Sequence, residues 1–336
     1  MGKLPGRALK LICLLMQGEL RYAYQVAKAW LKGRPFDAYH DYASLKEDQY
    51  PKELTLWYYM TTGRKLDLEN PQTFNDKSQW LKLYDCTPLK TQLADKYLVR
   101  DWVKERIGEE CLVPLLGVWN SFDEINFDLL PDRFVLKANH GSGWNIVVRD
   151  KAAFDKAAAR RQFAAWMRTN YAFAYGFELH YANIPRKIIA ERYIENADGN
   201  LYDYKIHCFD GKPQYVQVIG DRDLIKHTGR EAFYDTQWNL MPFTYNYPRY
   251  ERPIPRPGAL GRLLELTGIL CRGFAYARID LYVLDEGIKF GEITFIPSSG
   301  TDRWNPPEAD LMLGQMITLP PRKWPPVSAV TSGTGQ

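Results

Sequence analysis

The sequence predicts an α+β protein, and three observations carry that reading. Apolar residues keep helical spacing up to about position 107, strand-like runs dominate beyond Gly108, and residues 278–294 read as a late β-hairpin. At 336 residues, 46% hydrophobic and 25% charged, the chain has ordinary globular composition and length for two or so domains.

The net charge of +4 is too small to imply nucleic-acid binding, but it is unevenly placed. Residues 1–34 carry Lys3, Arg7, Lys10, Arg21, Lys28, Lys32 and Arg34 against Glu19, a segment of +6 beside a remainder of −2. Within it Leu11, Leu14, Leu15, Tyr22, Val26 and Leu31 keep helical spacing. Such a basic amphipathic helix either lies on an anionic membrane surface or packs on its own domain. The apolar run Leu11–Met16 is too short to span a bilayer, and no small-residue cleavage site follows it. Cysteines 13, 86, 111, 208 and 271 have no metal-binding spacing, so reduced thiols and a cytoplasmic location are expected, at the inner face of the membrane if the helix binds there.

Residues 35–110 read as a helical region, with Asn70-Pro-Gln-Thr-Phe-Asn75 as a turn capping a helix and Leu89–Ile107 as one continuous helix. From 111 to 190 the pattern is strand at Cys111–Val118, then strand, Gly-rich loop and strand at Arg133–Val148, then an Ala- and Arg-rich helix capped by Asp150. From 191 to 319 come a hairpin across Asp210-Gly211, a strand at Glu231–Tyr234, a helix at Leu260–Arg272 and the late hairpin. Pro, Ser, Thr and Gly dominate 320–336, where a disordered tail is expected.

The late hairpin holds the densest chemistry. With Asp285-Glu286-Gly287 as a three-residue loop, Leu284 faces Ile288, Asp280 faces Glu292, and Arg278 faces Thr294. Two carboxylates directly opposite lie roughly 5 Å apart at Cβ and repel. A cation should offset that, and Mg²⁺ held by one or two carboxylates plus substrate phosphates fits.

The Gly141-Ser142-Gly143 loop matches neither Walker A nor the three-glycine dinucleotide fingerprint. Its backbone N–H groups can still close over phosphate oxygens, with Lys137 at the entrance as a point charge. The alternative is an ordinary hairpin loop. Glu191-Arg192-Tyr193-Ile194 ends a strand and can offer backbone groups to a planar base. Asp221-Arg-Asp223 is a D-x-D pair of the kind glycosyltransferases use, a pattern common by chance.

Taken in order, these parts resemble the ATP-grasp superfamily, closest to its TupA-like (teichuronopeptide biosynthesis) branch of polysaccharide biosynthesis. The residues that carry the resemblance are Asn70–Asn75, Trp80–Tyr84, Leu93–Tyr97, Val113–Trp119, Phe134–Gly143, Asp203–Ile206 and Phe290–Phe295. The resemblance covers roughly 50–319 and implies an ATP-grasp fold, two α+β lobes gripping ATP, preceded by a helical N-terminal region. It implies that Lys96 and Lys137 contact ATP phosphates beneath a lid of Gly141, Ser142 and Gly143. Glu191, Arg192, Tyr193 and Ile194 would form the adenine hinge, Asp203 would take the ribose, and Lys205 would face the cleft beside it. Asp280 and Glu292 would hold Mg²⁺, Arg278 would steady the phosphate in flight, and Ser298-Ser299-Gly300 would form a substrate-side loop. The superfamily's usual third metal ligand is Asn; here it is Thr294, which puts a second Mg²⁺ in question.

The activity implied is ATP-dependent carboxylate–amine ligation through an acyl phosphate. The carboxylate is expected on a uronic acid of a surface polysaccharide or a lipid-linked glycan precursor, and the amine on an amino acid. Two other readings stand beside it: a glycosyltransferase built on Asp221 and Asp223, and a non-catalytic ATP-binding module.

Overall fold

The computed structural model describes residues 45–322 apart from 175, 198–200, 224–227 and 246, with isolated positions between 15 and 42; for 221–223 and 228 it describes backbone alone. The basic helix expected within 1–34 and the tail beyond 322 lie outside the described residues, isolated positions excepted. The chain divides into two compact units, residues 1–65 and 66–336.

In the first unit, helix α1 (Tyr50–Thr62) starts with Pro51 in its first turn and ends at Gly63, whose φ of 75° closes the last turn as a left-handed cap. Leu54, Leu56, Tyr58 and Met60 are buried on it.

The second unit opens with helix α2 (Phe74–Tyr84), and the turn before it explains why that sequence is so specific. Thr73 accepts from the Asp76 N–H, and Asp76 reaches back to the Thr73 N–H, completing a capping box. Asn75 bonds both main-chain groups of Asp302, and its own N–H and amide donate to Asp310 on helix α7 (Glu308–Gln315). The start of α2 is thereby fixed to a segment more than two hundred residues away.

The expected helix across 89–107 is broken. Helix α3 (Pro88–Ala94) stops where Asp95 turns extended, and α4 (Val99–Ile107) restarts after Leu98. The Asp95 carboxylate accepts from the N–H groups of Tyr97 and Leu98 and from the Asn139 amide, so its side chain replaces the helical hydrogen bonds. That break sends Lys96 toward the Gly-rich loop.

Two antiparallel sheets follow. The first joins β1 (Leu115–Trp119), β2 (Phe134–Ala138), β3 (Asn145–Val148) and β4 (Ile188–Arg192) in the order β1-β4-β2-β3. Helix α5 (Lys156–Arg168) takes its N-cap from Asp155; Asp150, the expected cap, instead holds the preceding turn at Ala152. The second sheet joins β5 (Asp203–Phe209), β6 (Lys212–Asp223), β7 (Thr228–Asp235), β8 (Tyr276–Leu284) and β9 (Gly287–Thr294) in the order β7-β6-β5-β8-β9. The β5–β6 turn is Asp210-Gly211 as expected, with φ of 47° and 73°. Helix α6 (Leu260–Leu270) covers the sheet with Leu263, Leu266 and Leu270 buried, and Phe74 meets the ring edges of Tyr276 and Trp304.

Candidate functional site

One face of the second sheet gathers the ionisable residues. Directly paired residues share a face, and the register sets Gln217 beside Lys205, Lys205 beside Asp280, and Asp280 beside Glu292. The next row runs Tyr215, His207, Arg278, Thr294. The Asp280–Glu292 and Arg278–Thr294 pairings are those expected from sequence, but the turn differs. Leu284 pairs with Gly287, leaving a two-residue turn at Asp285-Glu286, and a bulge between Asp280 and Leu281 restores the register. The extra residue is Gly291, where a Cβ would come within 3.1 Å of the Asp280 carbonyl oxygen; glycine fits that approach.

The carboxylates on this face are held by cations. Arg278 donates to both oxygens of Asp280, Nε to Oδ1 at 2.7 Å and Nη2 to Oδ2 at 2.8 Å, and reaches Glu292 at 3.2 Å. Lys205 bridges Asp280 and Asp203, the latter at 2.7 Å, and Lys96 lies 3.7 Å from Glu292. Burial alone would raise the Asp280 carboxyl; Arg278 and Lys205 overrule it and hold it below the usual range. Glu292 behaves likewise, with burial opposed chiefly by Lys96 and Arg278. Against the burial that would lower it, the Asp280 and Glu292 carboxylates keep the Arg278 guanidinium charged.

Three carboxylates and three cations therefore balance on this face. Among the described residues no group of three Asp, Glu, His or Cys side chains is poised to hold a metal. A pair of acids suffices for Mg²⁺ that keeps its waters and shares phosphate oxygens, so the donor set fits a metal–nucleotide better than a bare ion. Thr294 is engaged already: its hydroxyl accepts from Arg278 at 3.1 Å and donates to Glu292 at 3.3 Å.

The Gly-rich loop lies against Lys96, whose Nζ donates to the Gly141 carbonyl at 2.8 Å. Gly141 is buried, and a Cβ there would meet Trp144 at 2.6 Å and Tyr171 at 2.8 Å. Gly143 has φ of 71° and open space around it, and Ser142 beside it is exposed. Lys137, on β2, pairs with Glu191 at 2.5 Å, and Arg100 binds the other oxygen of Glu191 at 3.0 Å. Of the expected hinge, Glu191 and Arg192 end β4, Arg192 ion-pairs with Glu286, and Arg133 lies over the ring of Tyr193, with Ile194 next in the chain. Asp221 and Asp223 close β6, and their side chains lie outside the described residues.

Ser298, Ser299 and Gly300 all take left-handed conformations, with φ of 47°, 54° and 63°. For the two serines that costs about 1–2 kcal/mol each, and α2 holds them in place. Gln79 donates to the carbonyls of Ser299 and Gly300, Lys82 to Ser299 at 2.7 Å, and the Ser299 hydroxyl to Glu178 at 2.5 Å. Lys82 is fully buried, and burial brings its amine down to about 7 against the pull of Glu178. Gln79, Lys82 and Glu178 are absent from the expected site because nothing in their local pattern marks them. The Trp80–Tyr84 run, with a lysine inside an apolar helix face, was the one available signal.

Two antiparallel sheets with this acid pair on the last hairpin define an ATP-grasp protein. The match is specific to one branch: residues 76–318 match the TupA-like ATP-grasp family, and the chain belongs to that family. No curated protein matches it in sequence. Among solved structures it is similar to a D-alanine–D-alanine ligase from Bacillus anthracis, at 18% identity over 66% of this chain and 62% of that one, with a TM-score of 0.38. It is also similar to an L-amino acid ligase from Bacillus licheniformis, at 17% identity over 64% and 46%, TM-score 0.39. A third is the ATP-grasp ligase PsnB complexed with minimal precursor, Mg and ADP, at 9% identity over 63% and 53%, TM-score 0.35. The chain spans less than two thirds of the length of each.

Proposed function

We propose that the protein is an ATP-dependent carboxylate–amine ligase that joins an amino acid to a uronic acid of a surface glycan or its lipid-linked precursor. The observation that carries the ligase reading is the convergence of Asp280, Glu292, Arg278, Lys205 and Lys96 on one sheet face. In this reading Lys96 and Lys137 bind the phosphates of ATP, Glu191 through Ile194 edge the adenine, and Asp203 takes the ribose. Asp280 and Glu292 would hold Mg²⁺ with Thr294 beside them, and the metal would neutralise phosphate charge. Lys205 and Arg278 exchange part of their carboxylate contacts for phosphate oxygens, and Arg278 steadies the phosphoryl group as the substrate carboxylate attacks it. ADP leaves, and the amine then attacks the acyl carbon and displaces phosphate, with Gly141, Ser142 and Gly143 closing over the acyl phosphate to exclude water. Ser298, Ser299 and Gly300 receive the substrate.

The glycan half rests on the family's polysaccharide branch. Peripheral membrane contact through residues 1–34 belongs to the same reading, supported by their +6 charge and by the exposure of Leu15, Met16, Leu20 and Tyr24. The test is incubation with Mg·ATP, a uronic-acid oligosaccharide and mixed amino acids, followed by mass measurement. An amide product with matching ADP supports the reading; UDP-sugar binding stronger than ATP binding favours the glycosyltransferase, and ATP binding without turnover the non-catalytic module.

A further inference from the structure

Beside the catalytic face lies a cleft of about 500 Å³ lined by Tyr245, Tyr247, Pro248, Arg249, Asn305 and Pro306 among others. Its floor is rigid. Thr244 and Asn305 exchange two main-chain hydrogen bonds, 2.9 and 2.8 Å, and the Tyr245 ring packs on Trp304 with centroids 4.8 Å apart. Tyr245 links cleft and catalytic face. Its ring lines the cleft, while its hydroxyl reaches Gln217 at 3.4 Å, and Gln217 is the sheet neighbour of Lys205. The peptide N–H of Tyr245 donates to buried Glu231 at 2.6 Å, which fixes the ring from behind. The segment carrying Asn305 and Pro306 continues directly from the Ser298–Gly300 loop.

The lining has the chemistry of a sugar site. Aromatic and proline faces give flat apolar contact, and the Asn305 amide and the Tyr247 hydroxyl offer directional hydrogen bonds. Arg249 adds charge. It is exposed, it donates to the Met241 carbonyl at 3.0 Å, and no carboxylate pairs with it among the described residues. A guanidinium with no carboxylate partner among the described residues selects an anionic group at the rim of such a cleft, and a carboxylate matches its fork.

We propose that this cleft binds an acidic pyranose of the glycan acceptor, a residue next to the one whose carboxylate reacts. The proposal rests on the ligase reading above, because it makes the cleft the outer subsite of that acceptor. Asn305 and Pro306 follow the Ser298–Gly300 loop in the chain, so a glycan held in the cleft reaches the reacting end of the acceptor along that segment.

The test is calorimetric titration of the full chain with an oligoglucuronate and, separately, with the same oligosaccharide after its carboxylates are reduced to alcohols. Wild type should bind the acidic oligosaccharide saturably and the reduced one at least about tenfold more weakly. Arg249→Ala and Tyr247→Ala, both surface changes, should each weaken the acidic ligand by about tenfold or more, while Mg·ADP affinity stays unchanged. No saturable binding to wild type, equal binding of both oligosaccharides, or titrations that superimpose for wild type and both variants overturns the proposal. Nucleotide titration separates the two failures: normal Mg·ADP binding without glycan binding removes the cleft alone, whereas absent Mg·ADP binding removes the ligase reading.

Discussion

Asp280→Asn is the most informative single change, because the geometry around Asp280 sets its size. The carboxylate is 1% exposed and accepts from Arg278 twice and from Lys205 once. The amide keeps the shape but removes the charge, leaving a buried guanidinium and a buried amine facing a neutral group. Deleting one partner of a buried ion pair costs about 3–5 kcal/mol. Glu292 still faces Arg278 and Asp203 still faces Lys205, so the expected loss is at the low end, about 3 kcal/mol. For a chain of 336 residues, with about 2.1 cal/mol/K of unfolding entropy per residue, that lowers Tm by about 4 °C. The sign with pH follows from the lowered carboxyl of Asp280. Its stabilisation is present above the unfolded-state carboxyl range and is lost as pH falls through the folded value, so variant and wild type converge in acid. Thermal melts at neutral and acid pH, with ATP turnover measured alongside, form the assay. Turnover should fall about 10²-fold or more, equivalent to about 2.7 kcal/mol of barrier. A Tm within about 2 °C of wild type together with normal turnover refutes the reasoning.

Other perturbations read other parts of the molecule. Lys137→Ala should weaken binding of a non-hydrolysable ATP analogue in calorimetry; unchanged affinity returns Lys137 to a structural partner of Glu191. Gly141→Val should destabilise the fold rather than stiffen a lid, because its side chain meets Trp144 and Tyr171, whereas Ser142→Ala should leave stability within about 0.5 kcal/mol of wild type. Burial raises the Asp302 carboxyl to about 7, opposed by the nearby Ser298 hydroxyl and Arg278, although neither carboxylate oxygen has a hydrogen bond of good geometry. A raised acid stabilises fully below the unfolded value and loses that contribution as pH rises through 7. Asp302→Asn should therefore be the more stable protein at pH 8, by up to about 4 kcal/mol, with the gap closing near pH 4; a pH-independent difference in melts contradicts this. Deleting residues 1–34 should abolish pelleting with phosphatidylglycerol vesicles at low salt, and equal pelleting of both proteins removes the membrane role.

The features legible in the sequence are those set by local spacing. Asp280 and Glu292 could be paired because a hairpin has one dominant periodicity and Gly287 marks its turn. The bulge at Gly291 could not be read, since a two-residue turn with a bulge and a three-residue loop place the same acids opposite each other. The helix break at Asp95 was hidden for a different reason. Helical patterning runs through it, and what stops the helix is partly Asn139, a tertiary partner 44 residues away. Gln79 and Glu178 were silent, and Lys82 was marked only by its place in the apolar Trp80–Tyr84 run, because their partners in the Ser298–Gly300 loop lie 121 to 221 residues off. A buried lysine on a helix looks in sequence like a solvated one.

The central claim is that a carboxylate attacks the γ-phosphate of ATP on the Arg278–Asp280–Glu292 face. The measurement that tests it most directly uses a uronic-acid oligosaccharide labelled with ¹⁸O in its carboxylates, turned over with Mg·ATP and amino acid. Acyl-phosphate chemistry predicts one labelled oxygen in each phosphate released, in step with amide formation. Phosphate released at the same rate without label contradicts the account, because ATP would then be cleaved by water rather than by the substrate carboxylate.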